Sequence, residues 1–216
     1  MSPAPPEAPL DAAAFARRIP VSRETRARLE TLLALLGRWQ RRINLVGPAS
    51  LADPWRRHIL DSAQLLHHLP GSDIRLLDLG SGAGFPGLVL AIMGVREVHL
   101  VESDRRKSAF LREAVRETGS DNVRIHIARI EEVEPFPVEA VTARALAPLP
   151  RLLELAAPFF GPRTTGLFLK GRNLDAELTA ARRHWRMRAE TEPSLSSAEG
   201  RILILREVAR VRSSRA

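Results

Sequence analysis

The sequence predicts an α/β fold: a mostly parallel sheet with an antiparallel last strand, preceded by an N-terminal helical cap. From Arg75 onward, short apolar runs alternate with amphipathic stretches of helical length, which is typical of parallel strands covered by helices on both faces. The first run, Ile74 to Leu79, leads into a glycine-rich loop and then a helix. This order of strand, glycine loop and helix is Rossmann-like. The free N–H groups at such a helix start favour polar ligand atoms.

The segment before the sheet, residues 10–71, is predicted to form the helical cap. A short helix is expected over Asp11 to Arg18, and Ser22 is a suitable N-cap for a longer helix whose leucines share one face. A further helical passage is expected from Trp55 to Ser62. Residues 1–9 contain four prolines and are expected to be a disordered tail.

Residues 72–209 are predicted to form the Rossmann-like core of a single domain that spans residues 1–216. Later strands are predicted at Val98–Val101, Asn122–Ile127, Ala140–Ala143, Gly166–Lys170, Trp185–Ala189 and Arg201–Val208. Helices are predicted at Asp104–Glu117, Leu149–Phe159 and Leu174–Arg183. A short polar loop joins the last two strands, which indicates an antiparallel pair at the end of the sheet. Residues 210–216 are expected to be a basic tail.

The acids around the glycine loop indicate which ligand the loop binds. The loop fits the dinucleotide pattern G-x-G-x-x-G, but Asp78 before it would repel a pyrophosphate and suits a cationic ammonium. Glu102, at the end of the second strand, is placed to accept both hydroxyls of a ribose. The glycines let a ligand lie against the main chain, and we expect contacts at Gly80, Gly82 and Gly84. These features predict an S-adenosylmethionine pocket, with an ordinary glycine-rich turn as the alternative.

The net charge, the cysteine count and the length of the apolar runs exclude several classes of protein. The chain has 216 residues and a formal net charge of +8, a basic surplus that suits a polyanionic partner, although a basic surface that binds nothing is the alternative. Cysteine is absent, which excludes disulfides and iron–sulfur clusters, and no metal is expected. The N-terminus lacks an apolar signal core, and no apolar run approaches the roughly 20 residues that span a bilayer. We therefore expect a cytoplasmic protein with no membrane partner. We also expect the protein to be a monomer.

Further candidate site residues follow the third and fourth strands, because ligands of open α/β sheets bind at the carboxyl ends of the strands. The main-chain N–H of Ile130 or Glu131 is placed to recognise adenine, with Phe85 or Ile130 packing on the ring. Alternatively, Glu131 belongs to a solvated acidic loop. After the fourth strand, Arg144 supplies a donor where enzymes that methylate exocyclic amines commonly have acceptors.

Arg144 restricts the chemistry that this site can perform. A guanidinium cannot act as a base, but it can bind a carboxylate, a phosphate or the O6 edge of guanine. Guanine N7 suits such a site, because its lone pair attacks without first losing a proton. We therefore expect Arg144 to position the reacting groups, with no general base. A purely structural ion pair is the alternative role for Arg144.

A polar cluster lies on the helical passage before the first strand. His58, Asp61 and Ser62 are neighbours at i, i+3 and i+4. Three residues on one helical turn seldom form a productive Ser-His-Asp triad, and the sequence contains no nucleophile elbow, which disfavours hydrolysis. We expect the cluster to cover the ligand pocket, with His58 at the RNA side of the site.

Several motifs occur together in one order along the chain: Asn44-Leu45, His58-Ile-Leu-Asp-Ser62, Asp78-x-Gly-x-Gly-x-Gly-Phe-Pro-Gly87, Arg106-Lys107 with Phe110-Leu111, Arg129-Ile-Glu-Glu132, Arg144-Ala145 and Lys170-Gly171. In these motifs the chain resembles the bacterial 16S ribosomal RNA guanine-N7 methyltransferases, the glucose-inhibited division protein B family. Its Asn44-Leu-Val-Gly departs from the Asn-Leu-Thr common in that family, so a role for a hydroxyl there is doubtful.

The resemblance implies transfer of a methyl group from S-adenosylmethionine to guanine N7 in 16S ribosomal RNA, with the RNA or the small ribosomal subunit as partner. It implies that a set of residues contacts the cofactor, namely Gly80, Phe85, Ile130, Glu131 and Arg144. It also implies that basic residues face RNA, namely Arg105, Arg106, Lys107 and Lys170.

Three alternatives differ in class from this expectation. The chain could methylate a small molecule or a protein, which a neutral or acidic surface around the pocket would favour. It could be a non-catalytic RNA-binding assembly factor that uses the cofactor only to set its shape. An NAD-dependent oxidoreductase is disfavoured, because Asp78 precedes the glycines.

Overall fold

A computed structural model describes residues 8–211 as a seven-stranded sheet with helices on both faces. The strands are β1 (Arg75–Leu79), β2 (Glu97–Val101), β3 (Val123–His126), β4 (Ala140–Arg144), β5 (Thr165–Lys170), β6 (Trp185–Pro193) and β7 (Arg201–Arg210). Their order in the sheet is β3-β2-β1-β4-β5-β7-β6. Neighbours among the first five strands are parallel, and β7 is antiparallel to both β5 and β6. The predicted fold class is therefore confirmed.

The helices lie close to their predicted positions. They are α1 (Ala12–Arg18), α2 (Arg23–Gln40), α3 (Asp61–Ala63), α4 (Gly87–Ile92), α5 (Arg105–Glu117), α6 (Leu149–Ala156) and α7 (Leu174–Ala181). Ser22 caps α2 as predicted, since its Oγ accepts a hydrogen bond of 3.0 Å from Thr25 N–H. The passage around α3 is irregular, with a π-helical turn at Trp55–Leu60 before it and a 3₁₀ turn at Gln64–His68 after it.

Neighbouring strand residues pack into two separate hydrophobic cores, because side chains along a strand alternate between the faces of the sheet. Leu76 packs on one face with α2, α4 and α5, whereas Leu77 packs on the other face with α6 and α7. Helix α2 contributes Leu29 and Leu32 to the first core. The division into a cap (10–71) and a core (72–209) stays a prediction, because the first core is shared by both segments.

Two predicted segments lie partly beyond the described residues. Of the expected disordered tail, residues 1–7 lie outside the described part, and so do residues 212–216 of the expected basic tail. Between residues 8 and 211, no helix has the length and apolarity needed to cross a bilayer.

Candidate functional site

The candidate site lies where the chain changes direction across the sheet. From β1 the chain proceeds to β2 and β3 on one side, and β4 then lies on the other side of β1. The loops after β1 and β4 therefore diverge and leave a crevice, which is where open α/β sheets bind ligands. A cavity of about 1110 Å³ opens at this crevice, and both the glycine loop and Arg144 line it.

The glycine loop meets the cavity at Gly80 and Gly82. A Cβ on Gly82 would have no atom nearer than 3.9 Å, so this residue presents bare main chain to the open cavity. Gly84 has a different role, because a Cβ there would lie 2.9 Å from the Cβ of Leu88. Gly84 therefore lets the loop pack against α4 and does not line the cavity.

Asp78 lies beneath this loop and is completely buried. Its Oδ1 accepts a hydrogen bond of 2.7 Å from Thr142 Oγ1 on β4. Its Oδ2 is buried without a hydrogen-bond partner, and no other buried side-chain N or O atom of residues 8–211 lacks one. Burial raises the pKa of Asp78 to about 6, while the hydrogen bond from Thr142 opposes the change. Asp78 does not line the cavity, so the predicted contact between its carboxylate and an ammonium stays a prediction.

Glu102 fixes the glycine loop to the end of β2. Its Oε2 accepts a hydrogen bond of 2.9 Å from Gly82 N–H, and its Oε1 accepts one of 2.8 Å from Asp104 N–H. Only 7% of the residue is exposed, and it lies behind the cavity wall. Each carboxylate oxygen keeps a second lone pair, so the predicted contact with a ribose stays a prediction.

The turn after β3 lies outside the wall of the cavity. Ile130 is buried in the second core, beside Leu79 and Val101. Glu131 is half exposed and forms an ion pair with Arg151 of α6. The structure therefore brings neither side chain to the cavity, and recognition of adenine by their main-chain N–H groups stays a prediction.

Phe85, His58 and Arg144 form a compact stack in the cavity wall. The rings of His58 and Phe85 are stacked with centroids 4.7 Å apart, and the Arg144 guanidinium lies 4.9 Å from the Phe85 centroid. Phe85 is only 2% exposed. We expected it to pack on adenine, but in this structure its ring contacts the imidazole and the guanidinium.

The contacts of His58 determine its protonation state. Arg144 Nη1 lies 3.2 Å from Nδ1 of His58, and a guanidinium can only donate, so Nδ1 is the acceptor. The proton is then on Nε2, which donates to Ser50 Oγ at 3.0 Å. Burial, with help from Arg144 and Arg57, lowers the pKa of His58 to about 3. His58 is therefore neutral near pH 7 and its acceptor nitrogen is occupied.

The polar cluster on the helical passage is split by the structure. His58 and Asp61 line the cavity as expected, whereas Ser62 is completely buried and donates to the main-chain oxygen of His58 at 2.7 Å. The three side chains do not form a Ser-His-Asp triad. The side chain of His58 is stacked inside the wall and the residue is only 3% exposed. Its contact with RNA stays a prediction.

Arg144 is held at one end of its guanidinium and unpaired at the other. Nη1 donates to Arg57 O at 3.0 Å and lies 3.3 Å from Asp61 Oδ2. Nε and Nη2 have no acceptor among residues 8–211. Burial lowers the pKa of Arg144 from its ordinary value, and Asp61 opposes that change. The arrangement leaves hydrogen-bond donors for a ligand in the cavity.

The basic residues predicted to face RNA lie in different environments. Lys107 lines both the main cavity and a smaller cleft of about 240 Å³, which Arg106, Arg41 and Arg42 also line. Arg105 is exposed on α5 and lines neither. The cleft contains one acid, Asp104, whose Oδ1 accepts the N–H groups of Arg106 and Lys107 as the N-cap of α5.

Lys170, also predicted to face RNA, contacts other residues of the protein. Its side chain is 9% exposed, forms an ion pair with Glu177 of α7 and donates to Ala147 O at 3.0 Å. The contact of Lys170 with RNA stays a prediction. Lys170 still lines the main cavity.

Sequence reasoning missed two segments of the cavity wall. One is the loop of residues 45–50, and the other is the tip of the β6–β7 hairpin, which includes Ser194 and Ser196. The hairpin sequence is polar and small, which indicates a loop but not what the loop contacts. Within the described chain, no group of three or more side chains is arranged to hold a metal ion.

The chain is similar in sequence to known proteins over most of its length. The chain is 60% identical over 197 residues to the ribosomal RNA small subunit methyltransferase G of Rhodospirillum rubrum, covering 91% of this chain and 98% of that protein. It is 54% identical to the protein of the same name from Paramagnetospirillum magneticum, covering 89% of this chain and 94% of that protein.

Solved structures match the fold at low sequence identity. A SAM-dependent methyltransferase from Aquifex aeolicus matches with a TM-score of 0.55 and 17% identity, covering 73% of this chain and 94% of that chain. M. jannaschii TYW2, solved in complex with AdoMet, matches with a TM-score of 0.56 and 13% identity over 79% of this chain and 80% of that chain. The model of the family described as GidB, rRNA small subunit methyltransferase G, matches residues 25–205. The chain therefore belongs to that family.

Proposed function

We propose that this protein transfers the methyl group of S-adenosylmethionine to N7 of a guanine in 16S ribosomal RNA. Family membership supports the reaction class and the RNA substrate. A ribosomal substrate places the reaction in the cytoplasm, where we expect the protein to act as a monomer on the RNA or on the small subunit. The protein would then be an enzyme, which distinguishes it from an assembly factor without activity.

The observation that carries the N7 assignment is that, among residues 8–211, the side chains lining the cavity include no free base. Each carboxylate in its wall is paired with a basic side chain: Asp61 with Arg144, Glu177 with Lys170 and Glu199 with Arg172. The acceptor nitrogen of His58 is occupied by Arg144. Guanine N7 has a free in-plane lone pair and needs no base, whereas an exocyclic amine must lose a proton.

The residues of the crevice fit S-adenosylmethionine. Asp78, buried beneath the glycine loop, is the acceptor predicted for the ammonium, and the bare main chain at Gly82 would adjoin the methionine part. Glu102 would accept from the ribose through its remaining lone pairs. When bound, the cofactor supplies a methyl carbon that its sulfonium makes electrophilic. Arg144 would donate from Nε and Nη2 to the O6 edge of guanine, orienting N7.

The proposed function is tested by methyl transfer to 16S RNA or small subunits, followed by chemical cleavage at N7-methylguanosine. We expect one modified guanosine, and Arg144→Lys should lower the single-turnover rate by about a hundredfold, because the planar fork is lost. The wild-type rate should be level from about pH 6.5 to 9, since Arg144 stays charged and guanine N7 does not titrate there. A tenfold rise per pH unit, or methylation at another atom, would contradict the N7 assignment.

The open face of Gly82 gives a second prediction. Gly82→Ala and Gly119→Ala place a methyl group at nearly equal φ values, +57° and +59°, without close contacts at either site. Each should lose about 1–2 kcal/mol of unfolding free energy from left-handed strain. Only at Gly82 does the methyl enter the cavity, so calorimetry should show binding of S-adenosylmethionine weakened about tenfold there, or 1.4 kcal/mol. Equal affinity loss in both variants would argue against contact at Gly82.

The pKa of Asp78 gives a third prediction. A carboxyl with a pKa of about 6 is mostly charged at pH 7 and mostly protonated at pH 5. If the charged form binds the ammonium, affinity for S-adenosylmethionine should fall about tenfold from pH 7 to pH 5, while the carboxyl of the ligand stays ionised. Calorimetry at pH 5, 6 and 7 measures this. Asp78→Asn should bind weakly and without that slope; a slope that persists in the variant would exclude Asp78 as its source.

The basic cleft gives a fourth prediction, because we propose that the RNA backbone crosses it. The double variant Arg41→Ala/Arg42→Ala should reduce the slope of log K against log salt by about 0.7 per lost phosphate contact. Arg182→Ala/Arg183→Ala removes the same charge from exposed positions that line neither cavity and should leave the slope unchanged. Equal changes in the two variants would mean that net charge, not the cleft, binds RNA.

A further inference from the structure

The tip of the β6–β7 hairpin is docked on the helical turns around α3 by buried polar contacts. Gln64 Nε2 donates to Ser194 Oγ at 3.0 Å, and Leu195 N–H donates to Gln64 Oε1 at 2.7 Å. Ser196 is 5% exposed, and its Oγ donates to Oδ1 of Asp61. The hairpin is therefore attached to the segment that carries His58 and Asp61.

Asp61 uses its second oxygen for the guanidinium of the cavity. Its Oδ2 lies 3.3 Å from Arg144 Nη1, and the two side chains are 15% and 18% exposed, respectively. One carboxylate thus joins the hairpin to the end of β4. Charge-assisted contacts of this kind are stronger and more directional than neutral hydrogen bonds.

The pair with Asp61 differs from the other contacts of Arg144. Arg57 O and His58 Nδ1 also contact Nη1, but both are neutral. Asp61 is the only carboxylate paired with Arg144 among the described residues. Its charge therefore favours the orientation in which Nη1 is held by residues of the cavity wall and Nε and Nη2 stay available.

We propose that Asp61 is a positioning residue for methyl transfer, and that docking of the hairpin through Ser196 orients Arg144 by way of Asp61. This inference rests on the role proposed above for Arg144. It adds that residues from the end of the chain determine the geometry of a donor at the centre of the sheet.

Two variants test the two halves of this link. Asp61→Asn keeps the size of the side chain but loses the charge, and should lower the single-turnover rate by about a hundredfold. Ser196→Ala removes the hydrogen bond to Asp61, together with that of 2.9 Å between the hydroxyls of Ser196 and Ser194. It should lower the rate by about tenfold, the scale of a hydrogen bond to a charged group. When Ser196→Ala is added to Asp61→Asn, the rate should fall by less than about a further twofold, because both changes act through one contact. Affinity for S-adenosylmethionine should be unchanged in all three.

A second readout does not depend on methyl transfer. The Nε–H signal of Arg144 in ¹⁵N spectra, assigned by its loss in Arg144→Lys, should shift or broaden in Asp61→Asn and in Ser196→Ala. Thr191→Val replaces an exposed hydroxyl of the same hairpin outside the tip and should change neither the spectrum nor the rate.

The outcomes separate this inference from the proposed function. A changed Arg144 signal in a protein that methylates no RNA would support the link and refute the function. An unchanged signal, with a rate within twofold of wild type, would refute the link. A rate that falls together with cofactor affinity and melting temperature, while the signal is unchanged, would assign Asp61 a purely structural role. If Asp61→Asn does not fold, the comparison of Ser196→Ala with Thr191→Val still decides.

Discussion

The close approach of α4 to the buried carboxylate of Asp78 constrains the whole crevice. A Cβ on Gly87 would lie 2.7 Å from the Cβ of Asp78 and 2.9 Å from its Oδ2, so only glycine allows the helix to begin there. The same carboxylate accepts from Thr142 and thereby connects β1 to β4. Burying an acid without a full set of partners is unfavourable, as the raised pKa of Asp78 indicates. The fold maintains this unfavourable group next to the point where the loops after β1 and β4 diverge.

Most of the fold could be predicted from the sequence, because the signals are local. The run before Asp78 predicts β1, and the cap at Ser22 predicts the start of α2, since each depends on a few adjacent residues. The position of β7 between β5 and β6 could not be predicted in this way. Strand order depends on contacts between distant segments, and an antiparallel pair at the end of the chain is compatible with either order.

The site was predictable where function depends on position in the fold and less so where it depends on side-chain partners. The glycine loop and Arg144 could be placed at the cavity, because both follow strands whose carboxyl ends share one edge of the sheet. Lys170 also follows a strand, but Glu177 on the next helix pairs with it, and sequence spacing does not reveal that pair. The contact between Ser196 and Asp61 joins residues 135 positions apart and has no local signature.

The placement of β7 has a consequence for the order in which the protein matures. Among residues 8–211, strand β6 has only β7 as a hydrogen-bonded neighbour in the sheet, so it cannot join this sheet while β7 is still being synthesised. The hairpin tip between them cannot dock on Asp61 before that point. A nascent chain can thus complete the crevice at the loops after β1 and β4 while Asp61, the carboxylate paired with Arg144, still lacks its contact with Ser196. A chain can therefore fold its central strands before β7 is synthesised, but its site is complete only after β7 has been synthesised.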